Sequence, residues 1–508
     1  MEKTNSLRQP KAFYIIFILE FWERFGYYGM QAVITIYFVQ SLGLSEPKAF
    51  ATFGALVALV YGMVAAGGYI GDKILGTKRT IILGTAVLFI GYLMLGLSNT
   101  NTVFLALGVI TVGNGLFKAN PSSLLSKSYE ENDPRLHGGF TLFYMAVNLG
   151  SFFSMILTPY IAAKVGWNAG FLLSAIGLFL ALANFLFFYK SLANINSSAC
   201  VKKISLLKWF IVILLTIAAS FISGYLLQNV GLANVILWTI VIVVVGIYFK
   251  FMFREKGIVR KRMIVAFILM LQAIVFFTLY QQMPMSLTFF AIHNVKQSLL
   301  GMTILPAQFQ TLNPFWIMAL SPALAILYNK LGRKGKDFPV AKKFAMGMTF
   351  CSLAFLLLFC CKFFADSAGM VSAWWLVGSY FFQSVGELLI GALGMAMIAE
   401  LVPQKIIGFA MGMWFLKSAI SGMTGSMVAR LTAIPKDVTG GFNSLNIYTG
   451  VFWKIGVIVA IVALIMWLTS GMLVKYISGG DVDVAEATLE PEGDCHHKAE
   501  ETEKKAGA

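Results

Sequence analysis

Of 508 residues, 58% are hydrophobic and only 12% charged, with 44 Phe and 47 Gly, against about 25% charged in a typical soluble domain. That balance excludes a water-soluble globular protein, and apolar runs of about 20 residues, each enough to cross a bilayer, predict an all-α polytopic membrane protein. The net charge of +16 invites a nucleic-acid reading, which its distribution along the chain removes.

The first span is expected over residues 12–40. It is too long for the core of a signal peptide and lacks a small-residue cleavage site, so it is expected to remain in the mature protein. Inside it lies Glu20-Phe21-Trp22-Glu23-Arg24-Phe25-Gly26-Tyr27-Tyr28-Gly29, flanked by apolar residues from Phe13 to Leu19 and from Ala32 to Val39. A charge near the bilayer centre costs about 2.5–3.5 kcal/mol on insertion scales, and such groups normally face a bundle interior or an aqueous cavity, where they act on ions or substrate. Helical spacing puts Glu20 and Arg24 on one face, with Glu23 sharing its edge. Two acids and a guanidinium in low dielectric form a coupled set in which one added proton changes every partner's pairing.

Further spans are expected at 50–75, 79–97, 102–127, 138–163, 169–189, 205–228, 232–253, 262–290, 305–329, 340–364, 371–402, 405–434 and 447–476, fourteen in all. Basic residues concentrate in alternate connections. Lys3, Arg8 and Lys11 precede the first span, Lys73, Lys78 and Arg79 follow the second, and Lys202, Lys203 and Lys208 follow the sixth. Arg254, Lys256, Arg260, Lys261 and Arg262 precede the ninth, and Lys330, Arg333, Lys334, Lys336, Lys342 and Lys343 separate the tenth from the eleventh. The intervening connections are nearly bare. Lys/Arg excess marks the cytoplasmic side, so both termini are expected there. The charge reports topology, and no nucleic-acid partner is expected.

The expected organisation is a cytoplasmic N-terminus (1–11), a six-helix bundle (12–190), a peripheral hairpin (205–253), a second six-helix bundle (262–476) and a disordered tail (477–508). Duplicated six-helix halves are a common transporter architecture. Phe17-Ile18-Leu19 recurs as Phe267-Ile268-Leu269 at the matching place in the second half, but Glu20, Glu23 and Arg24 align with Met270, Ala273 and Ile274. The proton-sensitive charges therefore belong to the first half. Cys495-His496-His497 resembles a metal-ligand run, but it lies in the Gly/Glu/Lys-rich tail, and no metal or cofactor is expected.

Two more charges lie deep in spans: Lys118 in the fourth and Glu387 in the twelfth. Either alone could be structural. Together with the first span they suggest a cavity with a cationic pole, Arg24 and Lys118, in one half and an anionic pole, Glu387, in the other. Tyr27, Tyr61, Tyr144, Asn148, Tyr280, Gln310, Asn313 and Trp414 are candidates to surround them. A complementary ligand carries a carboxylate at one end and an ammonium at the other. A separation of about 10 Å between the poles would admit two or three residues at ~3.5 Å each.

At this point a family match emerges. Glu-x-x-Glu-Arg-Phe-x-Tyr-Tyr-Gly at 20–29, the loop Gly67-Gly68-Tyr69-Ile70-Gly71-Asp72-Lys73 through Thr80, Phe143-Tyr144-Met145-Ala146-Val147-Asn148-Leu149-Gly150, Phe309-Gln310-Thr311-Leu312-Asn313-Pro314-Phe315-Trp316 and Gly386-Glu387-Leu388 together resemble the proton-dependent oligopeptide transporters, a branch of the major facilitator superfamily. The match runs from about residue 8 to 476. The resemblance implies the major facilitator fold with two extra helices and a bacterial inner-membrane location. It also implies proton-coupled import of dipeptides and tripeptides by a monomer. Glu20, Glu23 and Arg24 would couple protons, with Lys118 exchanging partners. Arg24 and Lys118 would receive the peptide carboxylate and Asn148 with Glu387 its amino terminus, while Tyr27, Tyr61, Tyr144, Phe277, Asn313 and Trp414 would line the pocket. Against the family pattern, Gln272 stands for Glu, Thr288 for Asn and His137 for Asp. The first of these removes a charge near the second-half gate, and the second shortens a polar contact.

The nearest alternative is the same fold carrying another anion or a drug, against which Glu387 argues for an amine-bearing ligand. An enzyme is not expected: Gly113-x-Gly115 is no nucleotide loop, and no Ser/His pair or metal cluster is placed within the spans.

Overall fold

Prolines and a first-turn acid start several of the helices. Pro10 and Pro339 occupy the caps before Lys11 and Val340 in extended backbone, and Glu46-Pro47 opens a helix behind Ser45. There the missing proline N–H costs nothing and the acid faces the positive helix end. The computed structural model describes residues 8–130, 133–193, 195, 204–334, 338–435 and 441–478. Within them the chain is almost entirely helical. The spans are α1 (Lys11–Gln40), α2 (Glu46–Ile74), α3 (Thr77–Gly96), α4 (Val103–Ser126), α5 (Leu136–Lys164), α6 (Trp167–Phe187) and α7 (Leu206–Gln228). They continue as α8 (Val230–Arg254), α9 (Gly257–Asn294), α10 (Pro306–Tyr328), α11 (Val340–Phe364), α12 (Trp374–Leu401), α13 (Gln404–Arg430) and α14 (Gly441–Ser478). Thirteen of these hold an apolar stretch long enough to cross a bilayer. The remaining one, α1, has the length but carries the Glu20, Glu23 and Arg24 charges.

The expected spans and the observed helices differ by a few residues at their ends. The largest shifts are at α9, which runs Gly257–Asn294 against the expected 262–290, and α14, which begins at Gly441 against the expected 447. From residue 479 the expected tail, with Cys495-His496-His497, lies outside the described residues.

Helix α1 packs against α5 and α6, and α3 against α4 and α6; in the second half α9 packs against α13 and α14, and α11 against α12 and α14. The halves meet along α2 with α13 and α5 with α10. A Cβ on Gly54 in α2 would stand 2.5 Å from the Gly422 carbonyl oxygen of α13. Small residues at that crossing let two backbones approach where no hydrophobic drive brings helices together. Gly54→Leu is therefore expected to cost about 1–3 kcal/mol in overpacking. A lowered melting temperature in detergent would record it, and an unchanged one would show that the crossing is looser than described.

The α7–α8 hairpin sits outside. Gly108 of α4 lets α7 approach so closely that a Cβ there would lie 2.6 Å from the Gly224 nitrogen. Helix α8 is tied to α9 by the Tyr248 hydroxyl donating to the Met263 carbonyl at 2.8 Å, and Glu255 pairs with Lys405 at 2.5 Å. Its outer faces leave Leu206, Phe210, Leu215 and Ile242 exposed, the surface a lipid solvent requires.

A row of contacts joins the halves at the weakly charged end. The Thr35 hydroxyl donates to the Pro284 carbonyl at 2.7 Å, Gln310 Nε2 to the Ala32 carbonyl at 3.1 Å and Gln308 Nε2 to the Ile156 carbonyl at 2.9 Å. Glu46 accepts from the Ile434 amide at 3.2 Å and stands 3.7 Å from His293. Pro284 lies in a π turn, Met283–Leu287, where the Leu287 amide reaches back to the Gln282 carbonyl. The wider π turn offsets the ladder there, and the Pro284 carbonyl accepts from Thr35. A short hairpin, β1 (Ser298–Leu299) and β2 (Met302–Thr303), caps the same end. Its turn puts Leu300 and Gly301 at positive φ, as a two-residue turn matched to strand twist requires.

Candidate functional site

The first pole is built on α1. One helical turn brings Arg24 Nε to 3.3 Å from Glu20 Oε1, and the same guanidinium bonds its neighbour Glu23. All three side chains are buried. What seals them is Gly150 in α5, where a Cβ would lie 2.5 Å from the Phe21 carbonyl oxygen and 3.1 Å from Arg24 Cβ. This gives the last residue of the 143–150 motif its physical reason. Glu20 Oε2 and Glu23 Oε1 are buried and accept no hydrogen bond from the described residues. Each carboxylate thus keeps one free oxygen beside the Arg24 guanidinium.

Lys118, at the end of the main α4 helix, is held by tyrosines rather than by an ion pair with α1. Its Nζ donates to the Tyr61 hydroxyl at 3.4 Å and lies 4.5 Å from the Tyr61 ring and 5.6 Å from the Tyr27 ring. The Arg24 guanidinium stands over the same Tyr27 ring at 5.6 Å. Both cations thus lie over the Tyr27 ring.

The second pole is built on α10 and α12. Glu387 Oε2 accepts from Asn313 Nδ2 at 2.7 Å. Asn313 is itself oriented by Ser384 at 3.1 Å and by the Tyr280 hydroxyl, which donates to its Oδ1 at 3.2 Å. Just beyond Glu387 the α12 helix loosens at Gly391–Leu393 before resuming at Gly394, and Trp414 from α13 packs so closely over Gly394 that any Cβ would collide with it. Broken helices of this kind position ligand sites in transporters. Glu387 lies within electrostatic range of Tyr28 and Tyr144 in the first half as well as of Tyr280. Tyr144 is 42% exposed.

Asn148 lies below Tyr144 on α5, its amide donating to the Tyr144 carbonyl at 2.9 Å. Gln310 stands apart from the other candidates. It is committed to the closure between halves, bonding Ala32 and, at 3.1 Å, Thr288 Oγ1. Of the positions that depart from the family pattern, Thr288 thus supports that closure, Gln272 keeps a buried Oε1 without a partner among the described residues, and the His137 side chain lies outside the described residues.

Two groups escaped sequence reasoning. Tyr28 was passed over beside Tyr27. Lys417, mid-α13, is buried, with Nζ 3.3 Å from the Phe277 ring centroid and 4.6 Å from that of Trp414. Its signal was present: a charge inside an apolar span, the criterion that found Lys118 and Glu387.

Against known proteins, the POT family model matches residues 78–446. A dipeptide and tripeptide permease B of Photorhabdus luminescens is 53% identical over 470 residues, covering 92% of this chain and 97% of that protein. A solved bacterial homologue of the human drug peptide transporters PepT1 and PepT2 superposes with a TM-score of 0.82 at 38% identity, covering 92% of this chain and 99% of the other. The tetrameric PepTSo2 crystal structure does so with 0.81 at 37% identity and the same coverage.

Proposed function

The chain belongs to the POT family, and from that premise we propose that it is a symporter importing dipeptides and tripeptides with protons by alternating access. The observation that carries the reading is the division of opposite charges between halves, with Arg24 and Lys118 on the first and Glu387, held by Asn313, on the second. A peptide carboxylate binds the first pole and its ammonium the second, so one zwitterion touches both halves. A ligand shifts a two-state equilibrium only through differential affinity. Bridging supplies it, because the bridge fits best when the halves close on it.

Protons enter at Glu20 and Glu23, whose free oxygens lie beside Arg24. Protonating either acid weakens its hold on the guanidinium and frees positive charge for the peptide carboxylate. The positive-inside rule supports reading the basic end and both termini as cytoplasmic in a bacterial inner-membrane protein. The closure through Thr35, Gln308, Gln310 and Glu46 then lies outside, which supports an inward-facing state. The transport unit is read as a monomer, because both poles come from one chain, whatever assembly surrounds it. The halves 12–190 and 262–476 are read as the rocking bodies, with the 205–253 hairpin peripheral.

Labelled dialanine in proteoliposomes under an imposed inward proton gradient tests this. Accumulation above equilibrium is expected, with competition by two- and three-residue peptides and none by alanine or tetra-alanine. Absence of acid-stimulated accumulation of any short peptide would refute it.

A further inference from the structure

Lys417 is the buried charge that neither the proton path nor the two-poled grip uses. It is 6% exposed, and an ammonium carries three donors, yet its one hydrogen bond given by the structure is a 3.5 Å contact to the adjacent Ser418 hydroxyl. The rest of its environment is the faces of Phe277 from α9 and Trp414 from its own helix. Aromatic faces hold a cation in place but do not neutralise it. Glu387, on α12, has one carboxylate oxygen engaged by Asn313, and a Cβ built on Gly391 would meet both the Phe277 ring at 3.3 Å and Glu387 Cγ at 3.6 Å. The Phe277 ring that carries Lys417 is therefore a neighbour of Glu387, which sets Lys417 beside the second pole.

The charges of the two poles make the case sharper. Arg24, Lys118 and Lys417 balance Glu20, Glu23 and Glu387 when all are ionised. Taking up one proton leaves a surplus of one positive charge, and a dialanine-like zwitterion, being neutral overall, does not offset it. A peptide with one acidic side chain does.

Resting on the peptide-import reading, we propose that Lys417 forms a subsite for a side-chain carboxylate of the substrate, so that the protein prefers peptides containing Asp or Glu over their amide counterparts. The ammonium, already poised on Phe277 and Trp414, gains from the substrate the charge-assisted acceptor that the fold does not give it.

The test is competition against labelled dialanine uptake in proteoliposomes at external pH 6.5, where a glutamyl side chain is largely ionised, with Ala-Glu, Ala-Gln and Ala-Lys as probes. Wild type is expected to be inhibited by Ala-Glu at about tenfold lower concentration than by Ala-Gln, the effect of one charge-assisted contact, with Ala-Lys the weakest. Lys417→Met is expected to bring Ala-Glu and Ala-Gln within twofold of each other, and Lys417→Arg to keep the preference. Equal inhibition by Ala-Glu and Ala-Gln in wild type, or a preference that survives Lys417→Met, would overturn the subsite. If Lys417→Met does not fold, the wild-type ratio and the Arg variant still decide, with loss of the preference in Lys417→Arg counting against the proposal. Wild type that transports dialanine without charge preference sinks only this inference, whereas wild type that transports no peptide sinks the reading beneath it.

Discussion

Lys118→Met and Glu387→Gln are each expected to cut dialanine uptake by ten- to a hundredfold, the result of losing one charge-assisted contact worth about 1.5–3 kcal/mol. Both substitutions are chosen to spare the fold. The Met side chain keeps its packing between Tyr61 and Tyr27. A glutamine at 387 can still accept from Asn313 Nδ2 through its carbonyl oxygen, so the Asn313–Ser384–Tyr280 chain is retained. What each change removes is a charge at one end of the ligand. The loss should appear at the lowest substrate concentrations, and the detergent melting temperature should move little. Uptake within twofold of wild type for either variant would show that the corresponding pole does not hold the peptide.

The second large effect concerns coupling rather than binding. Glu20→Gln and Glu23→Gln each imitate the protonated acid, so the guanidinium loses one anionic partner permanently. Each is expected to abolish accumulation driven by a proton gradient while leaving counterflow exchange of labelled for unlabelled dialanine. Exchange needs only the loaded carrier to move between its two faces, whereas accumulation needs the acid to bind a proton outside and release it inside. The sign follows. Wild-type uptake rises as the external pH falls, and each variant gives a flatter profile because one of the two titrating acids is gone. Removing one acid leaves the other to pair Arg24, which avoids the about 3–5 kcal/mol cost of a buried charge with no partner. Full gradient-driven accumulation in both variants would refute the assignment of the proton site.

Residue chemistry marked out much of this before any coordinates. Charge within an apolar span is costly enough to be rare, so Glu20, Glu23, Arg24, Lys118 and Glu387 could be picked out one at a time. The same criterion reaches Lys417, which shows that it selects buried charges without saying which share a space. Aromatic and amide candidates were harder. Tyr27 and Gln310 look alike as polar groups in spans, yet one carries two cations over its ring and the other locks the halves together. Nothing local separates them, because the difference lies in which helix each faces across the interface.

By itself, then, the order of residues determined the membrane class, the number of spans and the distribution of basic charge, because length, hydropathy and loop composition are properties of consecutive residues. It also determined the ion triad on α1, since Glu20 and Arg24 meet through helical periodicity alone. Tertiary packing decided the rest. Lys118 rests on Tyr61 instead of an acid, Asn313 holds Glu387, Lys417 lies on Phe277, and the halves close at one end. Each of these joins residues far apart in the chain, and the glycines at 54, 150 and 422 that permit such approaches reveal their purpose only when another backbone is beside them.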